Sequence, residues 1–183
     1  MPRSIVWIGS AAAALVSASA MADTQFVSLA GFESYGFYGT AGNSSITLSL
    51  GVGTQITGID FVDFAFTGEG SSWLSDLVVS VNDSSASLAF WDSTVPGAAN
   101  APGTFGPVSA PFSNPGVFGS GPFTMTTSDL YITVYDSFDD NGPGLRDSVV
   151  NSGGILITYN VPAPGALAAF ALAGLASRRR RRA

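Results

Sequence analysis

The stretch Ile59-Asp60-Phe61-Val62-Asp63-Phe64-Ala65-Phe66 decides the fold. Ile59 and Phe61 share one phase of a two-residue alternation, whereas Phe64 and Phe66 share the other. Successive side chains of a strand point to opposite faces. One extra residue near Val62-Asp63, a β-bulge, therefore lets all four apolar side chains reach the same core.

The same period recurs on both sides. Ile46, Leu48 and Leu50 alternate with Thr47 and Ser49; Leu77, Val79 and Val81 with Val78, Ser80 and Asn82; Leu130, Ile132 and Val134 with Tyr131, Thr133 and Tyr135. Ile155, Ile157 and Tyr159 form a last strand, and Phe26–Leu29, Tyr35–Tyr38, Leu88–Trp91 and Phe123–Thr126 are shorter candidates. No segment from 23 to 160 carries a convincing helical pattern, so crossover helices for a parallel sheet are lacking. The expected fold is all-β, an antiparallel β-sandwich or jelly roll of about eight or nine strands. An N-terminal signal peptide and a short C-terminal apolar helix flank it. Val95 to Pro122 contains six prolines and reads as a long surface loop, pinned to the body by Phe105, Phe112, Val117 and Phe118.

Composition narrows the chemistry. Only 11% of the 183 residues are charged, and Cys, His and Lys are all absent. This excludes disulfides, thiol nucleophiles, Ser-His-Asp triads, His-ligated zinc and Schiff-base lysines. Of seven basic residues only Arg146 lies in the body, which holds all thirteen acidic residues and so carries a net charge of −12. Nucleic-acid binding is excluded, because phosphate contacts require Lys and Arg. Divalent cations and neutral glycans remain open as partners.

The two ends carry an address. Met1 to Ala22 has a positive Arg3, a twelve-residue apolar run from Ile5 to Val16, and small residues at Ala18, Ala20 and Ala22. That order is a secretory signal peptide, with cleavage after Ala20 or Ala22. At the other end, Val161-Pro162-Ala163-Pro164 precedes thirteen mostly apolar residues, Gly165 to Ser177, and then Arg178, Arg179, Arg180, Arg181 and Arg182. As a helix the apolar run is about 20 Å long, shorter than a hydrocarbon core of about 30 Å. It spans as a transmembrane helix only with local thinning and snorkelling arginines. The arginines mark the cytoplasmic side and the signal peptide puts the body on the other. The expected organisation is a signal peptide (1–22), a β domain (23–160) and a sorting or anchor tail (161–183).

This tail resembles the PEP-CTERM sorting signal of exported bacterial proteins, with Ala163 where that family usually has Glu. The resemblance implies that secretion machinery exports the chain and that the tail inserts transiently in the inner membrane. An exosortase-like enzyme then cleaves near the Pro motif and passes the body to the cell surface or extracellular matrix. Within the body, Ser75-Asp76-Leu77-Val78-Val79-Ser80-Val81, the strand Leu130 to Asp136 and the closing strand Ile155 to Asn160 are similar to P-domain-like jelly rolls. That similarity implies an accessory module, often calcium-stabilised.

The acidic turn Asp136-Ser137-Phe138-Asp139-Asp140-Asn141-Gly142 is the best site candidate. Asp136, Asp139, Asp140 and Asn141 offer oxygen donors of the kind Ca²⁺ takes, and Asp76 and Asp147 contribute if the fold brings them near. The plain alternative is a solvated turn in which Asn141-Gly142 supplies positive φ. Trp73, Trp91, Tyr131 and Tyr135 could form an aromatic platform for sugars or pack within a sheet. Asp60, Asp63 and Glu69 are the nearest approach to a hydrolytic carboxylate pair, and no motif supports them. The function expected is that of a non-catalytic cell-surface or matrix protein. The alternative is a calcium-stabilised or glycan-binding module, with extracellular polysaccharide as a partner.

Overall fold

The computed structural model describes residues 22–83, 90–112 and 122–162. The signal peptide up to Met21, the apolar run and the arginines lie outside the described residues. So do Ala163, Pro164, Val117 and Phe118. Among the described residues no helix is long and apolar enough to cross a membrane.

The chain is all-β, with two antiparallel sheets. The first contains β1 (Ala22–Ser28), β10 (Ser148–Asn160), β4 (Gln55–Gly68) and β7 (Gly103–Pro111) in that order. Two short strands join it: β2 (Glu33–Ser34) beside β10 and β8 (Phe123–Thr124) beside β4. The second runs β3 (Ser45–Ser49), β9 (Asp129–Asp136), β5 (Leu77–Asp83), β6 (Phe90–Thr94). A 3-10 turn, Leu74–Asp76, leads into β5.

β4 behaves as its alternation requires. Its pairing with β7 slips between Phe61 and Phe64, and Asp63 sits at φ 48°. Ile59, Phe61, Phe64 and Phe66 are all buried. The partner strand breaks phase at the same level: β10 buries Val150, then Ile155 and Ile157, with register shifts flanking Ser152. Phe61 lies 5.0 Å from Phe64 and 4.6 Å from Phe112, ring centre to centre, and Phe66 lies 6.1 Å from Phe105. Across from them the second sheet buries Leu77, Val79, Val81, Leu130, Ile132 and Val134, and both sets belong to one apolar core. Burying each such side chain is worth about 1.5–3 kcal/mol.

Three expectations change. The proline-rich segment is not a loop throughout, since Gly103–Pro111 pairs with β4 as the outer strand of its sheet. Proline donates no ladder hydrogen bond, which an edge tolerates and a centre does not. Gly106, at φ 99°, permits the close approach; a Cβ there would lie 2.4 Å from the Phe64 carbonyl oxygen. Phe105 and Phe112 do pin this segment to the core.

Tyr35–Tyr38 is not a strand. Gly36 and Gly39 take positive φ, and Asn43 Oδ1 accepts the Tyr35 N–H at 2.7 Å, closing a turn. Tyr38 from this turn packs edge-on against Tyr135 at 5.4 Å, and its hydroxyl accepts Asn82 Nδ2 at 3.1 Å. β5 is buried on both faces, Val78, Ser80 and Asn82 included. Finally, Ile46 on the edge strand β3 remains 40% exposed, although its alternation resembles that of the core strands.

Candidate functional site

The acidic turn leaves β9 at Asp136 and returns to β10 at Ser148. It meets the start of β2 and the segment Glu69–Asp76 that links β4 to β5. Backbone hydrogen bonds tie these pieces together: Glu69 N–H to Asp147 O at 2.7 Å, Asp147 N–H to Ser34 O at 2.9 Å, and Ser137 N–H to Asp76 O at 2.8 Å.

Asn141 is the keystone of the turn. Its Nδ2 donates to Glu69 O at 2.9 Å and Arg146 O at 3.0 Å, and its Oδ1 accepts the Ser71 N–H at 3.0 Å. Gly70, at φ 56°, makes room for it, since a Cβ there would lie 2.2 Å from Asn141 Oδ1. Arg146 bridges Glu33 on one side and Glu69 on the other, each partner about one third exposed. The Arg146 guanidinium, helped by the Tyr35 hydroxyl at 2.9 Å, holds the Glu33 carboxyl below its usual range. The Glu69 and Glu33 carboxylates raise Arg146 further.

The carboxylates divide into two kinds. Asp136 follows the inward phase of β9 and is fully buried. It accepts hydrogen bonds from the Ser34 hydroxyl and, at 3.3 Å, from the Ser148 hydroxyl. Burial pushes its pKa up to about 7, with the Asp147 and Asp76 charges adding to the rise. Asp147 is also fully buried. Burial raises its pKa, and Asp139 and Asp140 push the same way. Its Oδ2 and the Oδ1 of Asp139 are buried without a hydrogen-bond partner. Asp76 is raised by burial and then by the Asp140 charge. Asp140 stands at the surface.

The four residues expected to hold calcium are thus brought to one end of the molecule but not to one point. Asp136 is engaged by two serines, and Asn141 is spent on the turn's own backbone. Asp139 and Asp140 approach Asp147 and Asp76. Among the described residues no group of three or more Asp or Glu side chains is arranged to hold a metal ion. The four aromatic candidates separate as well. Trp91 packs on Phe123 at 5.7 Å, and Tyr135 donates its hydroxyl to Asp92 at 3.0 Å. Tyr131 is surface-facing on β9. Trp73, 46% exposed, stands beside the acidic turn. The third group does not converge: Asp60 lies on the outer face of β4 and Asp63 in its bulge. Glu69 is six residues beyond Asp63, roughly 20 Å along an extended chain, and is paired with Arg146.

An open cavity of about 460 Å³ lies where Trp73 meets the turn, lined by Trp73, Ser75, Asp76, Asn100, Phe138 and Asp140. Phe138 is 59% exposed there. Backbone bonds from Leu74 and Ser75 N–H to Ala101 O and Ala99 O, at 3.0 and 3.1 Å, hold the Asn100 segment against the 3-10 turn. Alternation says nothing about Ser75, Asn100 or Phe138. The one available signal is Phe138 itself, a large apolar side chain amid acidic turn residues. The chain matches no family model, no curated protein and no solved structure.

Proposed function

We propose that the chain is a non-catalytic exported protein of the cell surface or extracellular matrix. Its body is a jelly-roll-like β-sandwich, and its tail is a PEP-CTERM-like signal with an apolar helix that inserts transiently. Secretion machinery and an exosortase-like enzyme are its processing partners. The observation that carries the reading is the order of segments, signal peptide, acidic β body, Pro motif, apolar run and five arginines. The register of the sheet supports it, because Ala22 pairs with Asn160. The strand that begins at the signal cleavage site therefore lies beside the strand that ends just before Val161. Among the described residues, removal of both flanks takes from the ladders at most the terminal Ala22–Asn160 pair.

The test is replacement of Arg178–Arg182 by Ala in the native host. The expected result is loss of membrane retention and of cleavage near Val161–Pro164. An unchanged location and mass would overturn the sorting role.

A second reading, that the body binds glycans, is favoured by the exposed Trp73 and Phe138 in a cavity that also offers carboxylate, amide and hydroxyl groups. Sugar sites combine an aromatic face for C–H groups with planar polar groups for hydroxyls. Calcium stabilisation has narrower support, in the two unpartnered oxygens of Asp139 and Asp147.

A further inference from the structure

We infer that the cavity between Trp73 and the acidic turn recognises amino-bearing saccharides, sugar units whose free amine is protonated, in preference to neutral ones. The inference rests on the glycan-binding reading and narrows its ligand. The cavity holds two carboxylates, Asp76 and Asp140, and no basic side chain lines it. Arg146 is the only basic residue between positions 23 and 160, and it is committed to Glu33 and Glu69. Asp76 is more than nine-tenths buried and feels the Asp140 charge. A neutral ligand entering here would leave that repulsion in place and strip water from both carboxylates. An ammonium group relieves it.

The aromatic lining points the same way. The faces of Trp73 and Phe138 attract cations as well as the C–H surface of a sugar ring. Ser75 and Asn100 supply the neutral donors and acceptors that hydroxyl groups need. At about 460 Å³ the cavity lies within the usual range for small-ligand sites. The net charge of −12 on the body draws cationic polymers toward it and repels anionic ones.

The experiment titrates the purified full chain at pH 6 and low salt with three probes: a glucosamine trimer, its N-acetylated counterpart and a glucose trimer. The expected result is binding of the amino trimer at least about tenfold tighter than either neutral trimer, a gap that shrinks toward about 0.5 M salt. Trp73→Ala should weaken the amino trimer by about tenfold, and Asp140→Asn should close most of the gap. Both residues are exposed, so both variants should keep the parent's circular dichroism. Equal binding of amino and acetylated trimers would overturn the preference for an amine while leaving the glycan reading intact. No binding of any trimer would overturn both. Amino-trimer binding indifferent to Trp73→Ala and Asp140→Asn would mean diffuse attraction to the acidic body and would remove the site.

Discussion

The centre of β4 and the end of β9 solve opposite problems. Around Phe61, Phe64 and Phe66 the chain bends its backbone, through the irregularity at Asp63, to bring every apolar side chain inside. At Asp136 the backbone keeps the phase of β9 and carries a carboxylate inside, to the Ser34 and Ser148 hydroxyls, and the turn that follows buries Asp147 as well. The first region is held by apolar contacts that do not titrate. The second is held by hydrogen bonds whose strength depends on protonation. Apolar burial and buried charge should therefore respond differently to mutation, pH and salt.

The largest effect should come from Phe61→Ala, which opens a cavity against Phe64 and Phe112 and should lower stability by about 3–5 kcal/mol in denaturant unfolding. It should do so equally at pH 4.5 and pH 8. A smaller loss, or one that depends on pH, would blur the distinction.

Asp136→Asn should act in the other direction. The folded pKa near 7 lies above the ordinary carboxylate value, so the folded state binds the proton more tightly than the unfolded state. Stability from this group is full at acid pH and is lost as pH rises from about 4 to about 7. The amide cannot ionise and can still bond both serines. The variant should be more stable than the parent by roughly 2 kcal/mol at pH 8 and close to equal at pH 4.5. Equal melting at both pH values would mean that Asp136 carries no penalty when charged.

Arg146→Gln comes next. Its pairs with Glu33 and Glu69 are partly exposed, so the expected loss is about 1 kcal/mol, shrinking as salt is added. A loss insensitive to salt would place Arg146 with the buried groups instead. The smallest response should be to calcium. Of the turn's buried carboxylate oxygens Asp139 Oδ1 and Asp147 Oδ2 lack a partner, against the six to eight oxygens the ion takes, so about 1 mM Ca²⁺ should move the melting temperature by no more than about 1 °C. A rise of several degrees would show that Asp136 and Asn141 let go of their partners to complete a cage.

The two regions were not equally legible. Period-two alternation exposes β4, β5, β9 and β10, because one buried face dictates every second residue. It even locates the bulge, since Phe61 and Phe64 cannot otherwise share a face. Alternation does not reveal β7, whose prolines disguise an edge strand, or the burial of Ser80 and of Asn82, which Tyr38 bonds from a turn far away in sequence. The acidic turn was visible as a cluster, but its chemistry depends on which carboxylates the strand phase turns inward. Asp136 shares the buried phase of Leu130, Ile132 and Val134, so its burial is readable. The approach of Asp147 to Asp139, and of Trp73 and Asn100 to Phe138, is set by loops with no period to read.

We propose a body that is exported, trimmed at both ends and released to the surface. Intact-mass spectrometry of the protein from its native host's surface fraction tests it most directly. The expected chain starts after Ala20 or Ala22 and ends within Val161–Pro164. A chain recovered from the membrane fraction with Arg182 still attached would contradict it and leave a simple tail anchor.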